Sequence, residues 1–142
     1  MTTTQTSSPA TVSAPERGRG LLLGGLAVAG AGALGTTLVA ALLSAAGVDF
    51  ELPDGGESIP LTGFTVITFI FSLIGVALAA AVRRWSRHPR TTFVRVTVGL
   101  TALSLVPPFF QDASAATVAG LVLLHVTAAA IVIPGLARRL AD

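Results

Sequence analysis

Residues 58–90 read SIPLTGFTVITFIFSLIGVALAAAVRRWSRHPR. From Ser58 to Val82 there is no charged side chain; Arg83, Arg84, Arg87 and Arg90 then follow within one short segment. An α-helix crosses the hydrocarbon core of a bilayer in about 20 apolar residues. The run is long enough to do so, and the abrupt change to arginine marks the point where it leaves lipid. It predicts a transmembrane helix over about residues 59–82, with Trp85 anchored at headgroup level beyond it.

Upstream, Asp49, Glu51, Asp54 and Glu57 are interleaved with Pro53, Gly55 and Gly56, an acidic, turn-rich loop. Before that loop, Leu21 to Val48 carries no charge and predicts a first helix over about residues 20–47. Met1 to Pro15 is Thr, Ser, Ala, Pro and Gln with almost nothing to bury. Residues 1–19 are therefore expected to form a disordered cytoplasmic tail, and residues 20–142 a single transmembrane domain. Downstream, Phe93 to Phe110 predicts a third helix over about 92–110, with Arg95 near its start and Pro107-Pro108 near its end. A fourth helix over about 115–138 stops at Arg138 and Arg139.

Composition agrees with these four runs. The chain is 52% hydrophobic and 11% charged, against about 25% charged residues in soluble domains. The fold class expected is all-α, an integral membrane bundle of four transmembrane helices. No cysteine occurs, which excludes disulfides, thiolate metal sites and a cysteine nucleophile. With His88 and His125 the only histidines, a zinc site is not expected.

Orientation follows from the arginines, because cytoplasmic flanks collect Lys and Arg. Arg17 and Arg19 precede the first helix; Arg83, Arg84, Arg87, Arg90 and Arg95 lie between the second and third; Arg138 and Arg139 follow the fourth. All of them fall on one side of an even-numbered topology, and Asp49, Glu51, Asp54, Glu57 and Asp112 fall on the other. The expected topology is N-in, C-in, in the cell membrane. An alternative makes the first segment a cleaved signal peptide with Ser44-Ala45-Ala46 as its small-residue site. Signal h-regions usually span 7–15 residues, so the longer uncharged run favours a retained helix.

Small and hydroxyl residues mark candidate packing faces: Gly20, Gly24, Ala27, Ala31 and Gly35 in the first helix, Thr65, Thr68, Ser72, Gly75 and Ala79 in the second, and Thr97, Thr101 and Ser104 in the third. In lipid such residues let backbones approach closely, packing having replaced the hydrophobic effect as the driving force. His125, flanked by Leu123, Leu124, Val126 and Thr127, is the ionisable group placed nearest mid-membrane. At that depth it is costly unless it faces the bundle and finds a partner. Ser104, Thr101 and Ser72 are the candidates, and together with His125 they form the candidate intramembrane polar site. A relay or ligand role is the sharper reading, a helix-to-helix hydrogen bond the plainer one. Pro107-Pro108 is expected to end or kink the third helix near Val106.

Arg83, Arg84, Trp85, Arg87 and Arg90 suit contact with the headgroups of an anionic inner leaflet, each basic residue contributing on the order of 1 kcal/mol. They form too small a basic surface, with too few stacking aromatics, for nucleic acid. There is no Ser-His-Asp set at membrane depth, no paired buried carboxylates, no phosphate-binding glycine loop and no cluster of metal ligands. No catalytic residue, cofactor or metal is expected.

The run from Pro60 to Leu140, above all RRWSRHPR, TFVRVTVGLTALSLVPPF and LLHVTAAAIVIPGLARRL, resembles a group of small actinobacterial membrane proteins catalogued only as a domain of unknown function. The resemblance covers the second to fourth helices well and the first more loosely. It implies a four-helix membrane protein without assigned activity, and it carries over no catalytic residue. Two functions are then expected as alternatives. One is a non-enzymatic module acting through helix packing, as a homo-oligomer or bound to a larger membrane partner. The other is an oligomeric small-solute or proton-coupled carrier with His125 near its path.

Overall fold

The computed structural model describes residues 14–51, 58–110 and 113–140, with side chains from Arg19 onward and excepting Phe109. Four α-helices make up the fold: α1 (Ala14–Ala45), α2 (Leu61–Trp85), α3 (Pro89–Ser104) and α4 (Ala115–Ala137). A short 3-10 helix, Pro107–Phe110, joins α3 to α4. Among the described residues the extended structure is limited to one isolated antiparallel bridge, Glu51 with Ser58. Helix α1 packs along both α2 and α4, and α3 closes the other side against the same two helices.

Three of the four helices are long and apolar enough to cross a membrane: Arg19–Ala45, Leu61–Trp85 and Ala115–Ala137. The third expected span is corrected. Instead of running over 92–110, the α-helix occupies Pro89–Ser104. It starts early because Pro89 sits at the first helical position, where its fixed φ suits the helix and its missing N–H costs nothing. It stops at Ser104 because the rings of Pro107 and Pro108 would collide with the carbonyls of Leu103 and Ser104, four residues back. At 1.5 Å per residue its 16 residues reach about 24 Å. The expected tail over 1–19 falls largely outside the described residues, but α1 already begins at Ala14.

The end of α1 is set by its carbonyls. Gly47 takes φ +95°, a left-handed conformation that glycine adopts without a Cβ penalty. The amide of Val48 then donates to Leu43 O at 3.0 Å and that of Gly47 to Ser44 O at 3.0 Å, the Schellman arrangement. Val48 and Leu43 both pack against the cluster of Ala40, Phe50, Phe64 and Leu124 that closes this end. Phe50 itself has φ +51°, unusual for a bulky residue. Its ring is held edge-on to Phe64 at 5.0 Å, and a Cβ on Gly120 would stand 2.9 Å from it.

The opposite end is closed by Val76 and Ala79 of α2, Phe93 of α3, and Leu136, Ala137 and Leu140 at the end of α4. Between the two ends, α1 approaches its neighbours through glycine. A Cβ on Gly25 would meet Val76 at 2.8 Å, one on Gly32 would meet Val132 at 2.7 Å, and one on Gly35 would meet Ile131 at 2.6 Å. The packing face expected for α1 is therefore only partly right. Gly24 and Gly35 do face α4, yet Gly20, Ala27 and Ala31 point outward. The buried row is Leu21, Gly25, Ala29, Gly32, Thr36 and Ala40. In α2 the expected stripe from Thr65 to Ala79 does lie inward.

Candidate functional site

His125 lies ten residues into α4, half-buried, and its ring bonds within its own helix. Nδ1 is 2.8 Å from the carbonyl oxygen of Leu121, one turn back. A carbonyl only accepts, so Nδ1 carries a proton and donates. The expected helix-to-helix bond is absent. Ser104 Oγ donates to Thr101 O at 2.7 Å, and Thr101 Oγ1 donates to Thr97 O at 2.9 Å. Thr97 in turn donates to Phe93 O at 2.8 Å. These three hydroxyls of α3 thus bond to the backbone of their own helix, the local alternative open to Ser and Thr in a helix. Ser72 is buried against α1, 3.6 Å from where a Cβ of Gly32 would stand. His125, Ser104, Thr101 and Ser72 are not joined by hydrogen bonds.

A polar contact that does cross between helices lies elsewhere. Thr37 Oγ1 of α1 and Thr65 Oγ1 of α2 are 2.6 Å apart. Thr37 Oγ1 also reaches Ala33 O at 2.8 Å and Thr65 Oγ1 reaches Leu61 O at 3.1 Å, so either hydroxyl can supply the proton between them. Beside this pair stands Thr36, 2% exposed, whose Oγ1 has no hydrogen-bond partner. Sequence reasoning misses Thr36 and Thr37 because glycine and alanine dominate that helix. The signal was available, since Thr37 has the same short hydroxyl that made the Thr65–Ser72 stripe of α2 conspicuous.

At the α2–α3 corner, Arg84, Arg87 and Arg90 are exposed, Arg83 is half-buried, and Trp85 is 82% exposed. The corner is fixed by Ser86, whose Oγ contacts Thr92 Oγ1 at 2.9 Å and accepts from His88 N at 3.2 Å. Phe93, fully buried, pins α3 one turn further on. Because the cluster around Phe93 ties the same ends of α2, α3 and α4 together, the arginines of the corner share one end of the bundle with Arg138 and Arg139. Arg139 folds over Gly24 of α1, where a side chain would collide with it, and donates to Gly135 O. The described carboxylates, Asp49 and Glu51, lie at the far end, where Asp49 accepts from Thr117 Oγ1 at 3.4 Å. Among the described residues no three His, Cys, Asp or Glu side chains gather as metal ligands.

No curated protein and no solved structure matches the chain significantly. A family model does match, over residues 16–142, and its description is a family of unknown function, DUF6069. The match takes in α2, α3 and α4 entirely and α1 from Glu16 onward. The chain belongs to this family of unknown function.

Proposed function

We propose that the chain is a multi-pass protein of the cell membrane, N-in and C-in, that acts without catalysis by packing against other helices. The observation that carries this reading is the outer surface. Leu22, Leu23, Leu26, Leu34, Leu38 and Leu42 of α1 face outward, and so do Val66, Ile67, Ile70, Phe71 and Ile74 of α2. In the 18-residue apolar core of each long segment only 28%, 17% and 22% is buried inside the bundle, so much of its surface is left for lipid or another helix. An apolar surface of this extent would aggregate in water. The segregation of arginines to one end and of Asp49 and Glu51 to the other supports the orientation. Glycine-mediated contacts of α1 with α2 and α4 support a close-packed interior rather than an open path.

The deciding measurement is the mass of the purified protein in nanodiscs, taken together with whatever co-purifies. A defined oligomer, or a stoichiometric membrane partner, is the expected result; a lone monomer without a partner would remove the reading. The carrier alternative draws on one observation, the buried hydroxyl of Thr36 left without a partner. It requires solute or proton flux in liposomes that His125→Ala reduces while the variant remains folded. Equal flux in both proteins ends that alternative.

A further inference from the structure

The first two turns of α3 carry an open depression of about 360 Å³ lined by Arg90, Thr91, Val94 and Arg95. At about 100° per residue the two arginines lie roughly 140° apart around the helix, with Val94 and Thr91 between them. Arg95 starts about 7.5 Å deeper along the axis than Arg90, but a long side chain there extends back toward the aqueous boundary. Two arginine side chains thus line the same depression. Its floor is apolar: Val94 packs on the core that holds Phe93. Further along the same side of α3, Val98 and Ala102 are exposed and uncharged.

We infer that this depression is a discrete binding site for one anionic phospholipid, its phosphate held between Arg90 and Arg95 and its acyl chain lying along Val98 and Ala102. Arginine suits the task because its planar fork donates two parallel hydrogen bonds to phosphate oxygens. The apolar strip below the arginines selects a lipid over a free phosphate ion, which has nothing to place there. Charge points the same way. Nine arginines stand at this end of the chain's helices, and the acids nearest to them in sequence are Glu16 and Asp142. The inference rests on the membrane reading above, and it narrows the diffuse attraction of the basic corner to one stoichiometric site.

The test is native mass spectrometry of the full chain released from nanodiscs containing phosphatidylglycerol. The wild type is expected to keep one lipid per chain. Arg90→Gln/Arg95→Gln should lose it, whereas Arg84→Gln/Arg87→Gln, with the same change in charge, should keep it. Equal loss in both double variants would mean diffuse attraction and overturn the site, as would a wild type that retains no lipid. Displacement of the lipid by inorganic phosphate would assign the depression to a free anion and also overturn it. Should the first double variant fail to fold, Arg95→Lys keeps the charge without the fork and is expected to weaken retention; unchanged retention counts against the site. A protein that stays in solution without detergent would instead defeat the membrane reading itself.

Discussion

Thr36 is the residue whose chemistry is least settled by its surroundings. A buried hydroxyl without a partner costs about 1–3 kcal/mol relative to one that is bonded. Valine has nearly the same shape and no hydroxyl. Thr36→Val is therefore expected to stabilise the bundle by about 1 kcal/mol, read as unfolding in detergent against denaturant. A loss of stability instead would reveal a bound water or other partner at Oγ1. Phe50 presents the reverse case, with an unfavourable backbone angle offset by a buried ring. Gly120→Ala pushes a methyl into that ring and is expected to cost about 1–3 kcal/mol by the same measurement. No change would mean that the ring is free to move aside. His125 was legible in the sequence as a polar group at depth, but its partner was not. Helical residues carry an acceptor one turn back in every case, and sequence does not say whether a side chain will use it or reach across.

Among the elements, α1 is instructive. Its outer and inner faces are both apolar, because the outer one is expected to meet lipid rather than water, so hydrophobicity does not separate them. Small residues occur on both faces as well, so residue type alone does not separate Ala27 and Ala31, which face outward, from Gly25 and Gly32, which pack inward. The contrast is testable on two glycines of one helix. Gly32→Ala is expected to destabilise by about 1–3 kcal/mol through overpacking against Val132, whereas Gly30→Ala, which meets nothing within 4 Å, should be neutral or slightly stabilising. Similar losses at both positions would mean that the α1–α4 contact is placed differently. The three long helices were read correctly because an uncharged run of that length has few other uses. The third was misjudged at both ends by proline, which starts a helix as readily as it stops one. Its terminal prolines were noticed, but the α-helix ends two residues earlier than Val106, since a proline ring acts on the carbonyl four residues before it.

At the scale of the whole molecule, the charge at each end is the property on which the proposed orientation rests. Since the protein contains no cysteine, single cysteines can report on sidedness without a background. Ser58→Cys is expected to react with an impermeant thiol reagent from outside intact cells, and His88→Cys only after permeabilisation. The opposite pattern would invert the topology; reaction of both from outside would leave an even number of crossings between them. The unequal reach of the helices has a further consequence for the surrounding membrane. On the four-span membrane reading proposed above, the 16 residues of α3, about 24 Å long, stand in a hydrocarbon core roughly 30 Å thick. Lipid beside α3 would then have to compress to match it, at a fraction of a kcal/mol for each ångström of mismatch. Two bundles standing with their α3 flanks together would share one compressed zone in place of two, so the bilayer's own elasticity would draw copies together before any side chain of one touches the other.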